Sequence, residues 1–193
     1  FFDGMAQSNP EYYKVMRAMN FAEKAHAGYR KDKVTPEFHH QVEICLYLRT
    51  ISSNFMNPIE VFILALLHDT YEDYPHLISE LESEFPDYFE KLLKLSKKEW
   101  YVDTNGELKS NDKEYTEYFN VLQNDSSCSI VKGVDRIHNC STMIGVFNNE
   151  KQLKYVEEIM TYFLPMLKAA RKNFPEQLNA YENIKALLGI QRN

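Results

Sequence analysis

The feature that most constrains the fold is an unbroken apolar segment, residues 61–67, that runs directly into His68 and Asp69. An Asn-Pro pair at residues 57–58 comes just before it, and this pair is a typical start of an α-helix. The sequence therefore predicts a helix from there to about Thr70 that is apolar on almost all sides. Because such a helix is normally buried, we expect it at the centre of the domain, with a histidine and a carboxylate at its end.

Helix-start and helix-end signals recur along the rest of the chain. Proline follows a capping residue at Asn9, Thr35 and Asn57, and Glu60 is placed to complete a capping box at the last of these. Pro165 predicts a kink in a long helix near the carboxyl end. The predicted helices cover residues 10–27, 36–48, 58–70, 112–123, 127–143, 149–172 and 175–188, with one or two more between 76 and 98, and Gly189 is expected just past the last one.

The rest of the sequence gives no sign of a sheet. Residues 101–111 contain Gly106 and several asparagine and aspartate residues, which predicts a turn-rich loop. No segment sustains the alternation of apolar and polar residues that is typical of a strand. We therefore predict an all-α fold, and a length of 193 residues favours one domain.

Charge and cysteine content argue against several classes of protein. The net charge of −6 disfavours binding to nucleic acid or to acidic membranes, although a small anionic substrate needs only a local basic patch. No apolar run approaches the roughly 20 residues of a membrane span, and we expect no signal peptide. Cys45, Cys128 and Cys140 form no Cys-x-x-Cys pair, which fits a reducing cytoplasm. The sequence leaves the oligomeric state open.

The segment that follows the apolar helix concentrates groups that handle metals or protons. It contains His68, Asp69, Glu72 and Asp73 within six residues. Residues four apart share a helix face, so His68 and Asp69 could bind one metal ion while the acidic pair handles protons beside it. The simpler alternative is a charged helix terminus that happens to contain a histidine.

Three other stretches could complete such a site. Asp135 lies at the edge of an apolar helical stretch, where a carboxylate is costly unless it is paired or metal-bound, and Asn139 follows one turn later. His39 and His40 are adjacent on a helix and point in different directions, so one at most serves a given metal ion. The basic loop 28–33 could hold phosphates. The simpler alternatives are surface charges, structural histidines and a solvated loop.

Together these residues resemble the small alarmone hydrolases, which are similar to the HD-type hydrolase domain of the bifunctional Rel/Spo (p)ppGpp enzymes. Three blocks carry the resemblance, in the order found in the family. They are Ala25-His26-Ala27-Gly28 with Arg30-Lys31 and residues 36–40, then residues 65–73, and then residues 132–139. The resemblance implies a single-domain HD-type helical bundle over residues 1–193, with a motif core in 25–143 and a helical carboxyl-terminal part in 149–189.

The resemblance also implies a ligand set for one Mn²⁺ ion. In the family, the first ligand histidine is followed by apolar residues two and four positions later. Val42 and Ile44 satisfy this pattern for His40, whereas polar residues follow His39 at those positions. We therefore assign His40 as the first ligand. The matching positions of the other two blocks give the remaining ligands, which are His68, Asp69 and Asp135.

Further residues match positions that act on the substrate in the family. Glu72 and Asp73 match the catalytic pair. The substrate-binding positions are matched by Arg30, Lys31 and Asn139.

Other positions around the substrate depart from the family pattern. Ser129 and Ser141 stand where the family commonly has basic residues. The late helix, which typically offers an arginine and a tyrosine to the nucleotide phosphates, has Met160 and Tyr162. We therefore take Tyr162 as the remaining substrate-binding residue.

The implied activity is Mn²⁺-dependent hydrolysis of the 3′-pyrophosphate of (p)ppGpp-like alarmones, which yields GDP or GTP and pyrophosphate. Because of the departures, a related hydrolase of (p)ppApp, of the 2′-phosphate of NADPH or of nucleoside monophosphates stays open. An antitoxin that removes the product of an alarmone-synthesising toxin stays open as well. A non-catalytic nucleotide sensor is the alternative from another class, and the intact pair Glu72 and Asp73 argues against it.

Overall fold

The computed structural model describes residues 2–191, and these residues form twelve α-helices and one short β-hairpin. The helices are α1 Phe2–Ser8, α2 Tyr12–Ala25, α3 His39–Ile51, α4 Pro58–Leu67, α5 Thr70–Asp73, α6 Ile78–Glu84, α7 Pro86–Leu95, α8 Tyr115–Leu122, α9 Ser126–Ser141, α10 Asn149–Glu158, α11 Leu164–Asn173 and α12 Leu178–Gln191. The strands are β1 Lys98–Val102 and β2 Leu108–Asp112. The all-α prediction is confirmed, since helices dominate and the hairpin is peripheral.

Helix α4 forms the centre of the bundle, as its composition predicts. Every side chain from residue 61 to residue 67 is at most 1% exposed. The helix packs against α2, α3, α7 and α9, so all of its faces are covered. Because α4 ends at Leu67, His68 and Asp69 emerge where several helices meet.

Helix α9 is the second buried helix that leads into the site. Its N-terminal cap is Asp125, whose carboxylate accepts the backbone N–H groups of Ser127 and Cys128 at 3.2 and 3.1 Å. Gly133 lets α12 approach closely, because a Cβ atom at that position would lie 2.8 Å from Ile184 Cγ2. This packing fixes the direction in which α9 presents its later residues to the centre of the bundle.

The prediction of a loop over residues 101–111 is wrong, because β1 and β2 pair there in antiparallel register. Trp100 lies opposite Ser110, and Gly106 has a φ of 81° in the turn. The hairpin is held by a tertiary contact, since Trp100 Nε1 donates to the Tyr71 carbonyl at 3.0 Å. Most of its residues are exposed or half-buried, so no apolar alternation marks the strands in the sequence.

One predicted helix start and one predicted helix cap are also corrected by tertiary contacts. The second predicted helix begins at His39 and not at Pro36, because Pro36 pairs with Tyr29 in an isolated β-bridge. The capping box at α4 does not form. Glu60 Oε1 accepts instead from Lys91 Nζ and Ser127 Oγ, both at 2.5 Å, so this carboxylate links α4 to α7 and α9.

The long helix near the carboxyl end is interrupted by a π-helical turn, Ile159–Phe163, between α10 and α11. This turn lies just before Pro165, whose missing N–H and ring disturb the preceding helical hydrogen bonds. The expected irregularity is therefore present. The last helix does not end before Gly189 but continues to Gln191. Within the described part of the chain, no helix combines the length and apolar character needed to cross a bilayer.

Candidate metal centre and active-site cavity

Four predicted ligands, contributed by three parts of the chain, meet at one point. His40 Nε2 lies 3.6 Å from Asp69 Oδ2 and 3.3 Å from Asp135 Oδ1. His68 Nε2 lies 3.1 Å from Asp69 Oδ2 and 3.6 Å from Asp135 Oδ1. The start of α3, the turn after α4 and the middle of α9 therefore converge on a set of two imidazoles and two carboxylates. His39, in contrast, is exposed.

The orientation of His68 leaves one ring nitrogen ready to bind a cation. Its Nδ1 atom lies 2.8 Å from the Ala65 carbonyl oxygen, so Nδ1 carries the proton and donates it. Its Nε2 atom is buried, and no residue that the structure describes forms a hydrogen bond with it. A buried ring nitrogen that is held in place and faces the carboxylates of Asp69 and Asp135 suits a metal ligand. The cluster of His40, His68 and Asp69 has ligand atoms within 4.8 Å of one another.

The charges around the cluster also favour a bound cation. Burial raises the pKa of Asp135, but Lys132 Nζ at 3.2 Å and the two histidines outweigh burial and hold that pKa well below its usual range. Burial lowers the pKa of His68, but the charges of Asp69 and Asp135 outweigh it and raise the pKa. The carboxylates thus stabilise positive charge between them, which is the property that a divalent ion requires.

A cavity of about 250 Å³ opens beside the candidate metal centre, and two of the four candidate ligands, His40 and Asp69, line it. Arg30 and Lys31 reach it from the basic loop, and Asn139 and Thr142 reach it from the end of α9. Arg30 Nη2 lies 3.4 Å from both Asn139 Oδ1 and Thr142 Oγ1. Asn139 Nδ2 in turn donates to Asp135 Oδ1 at 2.5 Å. The basic loop and the candidate metal centre therefore share one wall of the cavity.

The two acidic residues of α5 have different surroundings. Asp73 lines the cavity, and burial, followed by the charges of Asp69 and Glu72, raises the pKa of Asp73 to about 6. Glu72 does not line the cavity; its Oε2 atom accepts the backbone N–H of Lys97 at 2.8 Å. Asp73 is therefore the carboxyl placed to exchange protons with a bound molecule, and Glu72 ties α5 to the hairpin.

The structure does not bring Tyr162 to this cavity. Its ring stacks on Phe119 with centroids 5.2 Å apart, and it also contacts Tyr115 in an aromatic cluster. Tyr155, which lies before the π-helical turn, lines the cavity instead. Arg136 supports this ring from behind, with its guanidinium carbon 4.3 Å from the ring centroid.

A second residue that the sequence analysis missed is His138. It lines the cavity, and its Nδ1 atom lies 2.8 Å from Nδ1 of His40. The signal was present in the sequence, because His138 lies within the third block between Asp135 and Asn139.

The chain also matches a known protein family over most of its length. A family model described as the HD domain matches residues 18–174, which include all four candidate ligands and every residue that lines the cavity. The chain belongs to the HD domain family. His68 and Asp69, directly after α4, lie within the matched range.

Curated relatives of this HD domain include enzymes of the Rel/Spo type. It is 27% identical over 153 residues to a guanosine-3′,5′-bis(diphosphate) 3′-pyrophosphohydrolase of Aquifex aeolicus, covering 79% of this chain and 21% of that protein. It is also 27% identical over 157 residues to a chloroplastic probable GTP diphosphokinase of Arabidopsis thaliana, with the same coverage. A GTP pyrophosphokinase of Brucella ovis matches over 151 residues at 27% identity. The chain spans about a fifth of the length of these relatives.

Proposed function

We propose that this HD domain hydrolyses the 3′-pyrophosphate of (p)ppGpp-like alarmones, with Mn²⁺ as cofactor, to give GDP or GTP and pyrophosphate. The observation that carries the proposal is the convergence of two histidines and two aspartates beside a cavity that Arg30 and Lys31 line. The name of the Aquifex aeolicus relative gives independent support. We assign the reaction to one HD-type domain, with its motif core in residues 25–143 and a helical part in 149–189.

His40, His68, Asp69 and Asp135 would hold the metal ion. Two imidazole nitrogens and two carboxylates form a donor set of intermediate hardness, which suits Mn²⁺ better than a thiolate site would. When bound, such an ion supplies Lewis acidity towards a phosphoryl oxygen and lowers the pKa of a water molecule. The three cysteines of the chain are buried and form no disulfide, and none belongs to the ligand cluster.

Asp73 is the residue that we assign to proton transfer. Water attacks the phosphorus atom linked to the 3′ oxygen, the P–O3′ bond breaks, the nucleotide departs through its 3′ oxygen, and the pyrophosphate formed carries the oxygen of the water. The Asp73 carboxylate takes the proton of the attacking water, and the carboxylic acid so formed returns a proton to the 3′ oxygen of the departing nucleotide. A carboxyl with a pKa of about 6 is suited to exchange protons near neutral pH. Glu72 contributes by holding α5 against the hairpin through the Lys97 N–H.

The substrate phosphates would lie against the basic side of the cavity. Arg30 has one guanidinium nitrogen directed to Asn139, and Lys31 lies over the Phe147 ring at 5.3 Å. Lys151 lies over the same ring at 3.9 Å. These cations neutralise phosphate charge, and Tyr155 replaces Tyr162 as the aromatic residue that contacts the substrate.

The test is a substrate panel assayed with and without added Mn²⁺. The panel contains ppGpp, ppApp, NADPH and nucleoside monophosphates, with released pyrophosphate and phosphate measured separately. We expect Mn²⁺-dependent release of pyrophosphate from ppGpp at the highest kcat/KM. Preferred release of phosphate from NADPH would show that NADPH, and not ppGpp, is the substrate. No release from any member of the panel would favour a nucleotide sensor.

A further inference from the structure

A chain of hydrogen-bonding groups leads from the candidate metal centre to the protein surface. His40 Nδ1 lies 2.8 Å from His138 Nδ1, and His138 Nε2 lies 2.5 Å from Glu43 Oε2. His40 and Glu43 are three residues apart on α3 and therefore lie on one helix face. His138 of α9 contacts both of them. The side chains of His40, His138 and Glu43 are 4%, 10% and 57% exposed, so the chain runs from the interior to solvent.

The Glu43 carboxylate, at the surface end, fixes the order of donors and acceptors in this series of hydrogen bonds. Glu43 ends the chain with a carboxylate, which only accepts, so His138 Nε2 carries a proton and donates it. His138 Nδ1 then has a lone pair and accepts from His40 Nδ1–H. His40 Nε2, which faces Asp69 and Asp135, is left with its lone pair. The Glu43 carboxylate at the surface thus favours, through His138, the His40 tautomer that can bind a metal ion.

His68 has the same Nδ1–H tautomer, but a different contact holds it there. Its Nδ1–H donates to the carbonyl of Ala65, three residues earlier in the last turn of α4, so its tautomer depends on backbone alone. His40 has no such backbone contact at Nδ1 among the hydrogen bonds of the described residues; its partner there is a side chain. The two histidine ligands are therefore held differently, and only His40 depends on a distant side chain.

We propose that Glu43 and His138 are positioning residues that hold His40 in its metal-binding tautomer and orientation. This inference rests on the proposed metal binding. Both residues line the cavity, but the role proposed for them is exerted through the His40 ring and not on the reacting atoms. Outer hydrogen-bond partners of ligand histidines typically change metal affinity by about 10- to 100-fold when they are removed.

The first test measures Mn²⁺ affinity by equilibrium dialysis, with bound metal determined by elemental analysis. His138→Phe should weaken binding by about 10- to 100-fold, and Glu43→Gln by up to about tenfold, because glutamine keeps a weaker acceptor. The double variant should bind as weakly as His138→Phe alone, within about twofold, because Glu43 acts only through His138. Glu82→Gln is the matched control, since Glu82 is exposed on α6 and does not line the cavity.

The affinities of the two single variants and the double variant distinguish failure of this inference from failure of the proposed metal binding. Wild-type affinity in Glu43→Gln, or additive losses in the double variant, would overturn the inference while leaving the proposed metal binding intact. A wild-type protein that binds no Mn²⁺ would overturn both. Thermal unfolding in EDTA checks that the variants fold. If His138→Phe does not fold, His138→Gln replaces it, because its amide oxygen still accepts from His40 and the effect of Glu43→Gln should then vanish.

The second test reads the tautomers directly in metal-free protein. Long-range ¹H–¹⁵N spectra of histidine-labelled protein distinguish a ring protonated at Nδ1 from one protonated at Nε2. We expect the Nε2–H tautomer for His138 and the Nδ1–H tautomer for His40. Loss of the Glu43 carboxylate in Glu43→Ala should reduce the Nε2–H population of His138. An Nδ1–H tautomer of His138 in the wild-type protein would refute the proposed order.

Discussion

The carboxylate of Glu72 accepts the backbone N–H of Lys97 across 2.8 Å, while the neighbouring carboxyl of Asp73 lines the active-site cavity. The two adjacent acidic residues thus have different contacts. The carboxylate of Glu72 joins α5 to the hairpin, and the carboxyl of Asp73 faces the cavity.

This division predicts unequal effects of the two neutral substitutions. Asp73→Asn should lower kcat by about 100-fold or more, because it removes the group assigned to proton transfer. Glu72→Gln should cost less, since the amide oxygen of glutamine can still accept the Lys97 N–H. Steady-state kinetics on ppGpp with saturating Mn²⁺ provides the comparison. Equal losses in the two variants would mean that both carboxylates act on the reacting atoms.

Asp69→Ala should abolish both metal loading and hydrolysis. Asp69 faces both histidine ligands, so its loss removes a ligand and half of the negative charge that stabilises the cation. Helix content should stay unchanged, because Asp69 lies in the turn after α4 and contributes no side-chain cap to α5. Metal analysis, pyrophosphate release and circular dichroism are measured on one preparation. Full activity in this variant would show that the metal assignment is wrong.

The two tyrosines of the late helix form a matched pair. Tyr155→Leu should raise KM by about tenfold, because it removes an aromatic contact on the cavity wall that is worth on the order of 1 kcal/mol. Tyr162→Phe should leave KM and kcat unchanged, because that ring packs against Phe119 and does not line the cavity. A raised KM in Tyr162→Phe alone would restore the assignment based on the family pattern.

Asp125 should make the stability of the protein depend on pH in the acid range. Although burial raises its pKa, the Cys128 N–H, Lys91 and Lys94 outweigh burial and lower that pKa. A carboxyl with a lowered folded-state pKa stabilises the protein above its unfolded value of about 3.9, and this contribution is lost as pH falls through the folded value.

Asp125→Asn is the variant that isolates this effect, because asparagine is also a good N-terminal cap. It should reduce the free energy of unfolding by about 1–3 kcal/mol at pH 7, since two lysines lose their shared partner. The difference from wild type should shrink as pH falls from 5 towards 2. Urea unfolding at several pH values measures it. A constant difference across that range would exclude the charge of Asp125 as its cause.

The sequence predicted those parts of the fold and site that depend on local patterns. The apolar helix α4 could be recognised because it is buried on every side, and residues 65–73 and 132–139 carry their side chains at fixed helical spacing. The hairpin could not be recognised, because the contact of Trp100 with Tyr71 stabilises it and no alternating pattern does.

Contacts between distant parts of the chain account for the other differences. The π-helical turn changes which face of the late helix reaches the cavity, so that Tyr155 and not Tyr162 lines it. The contact between Glu43 and His138 joins residues 95 positions apart, and no local pattern encodes such a pairing.

The position of Trp100 has a practical consequence. It is the single tryptophan of the chain, and its indole N–H is bonded to the Tyr71 carbonyl, next to the two acidic residues. The tryptophan emission of the protein therefore originates beside the segment to which we assign proton transfer. Paramagnetic Mn²⁺ or a bound nucleotide would be sensed there without any added label, and stopped-flow fluorescence could follow occupancy of the site in real time.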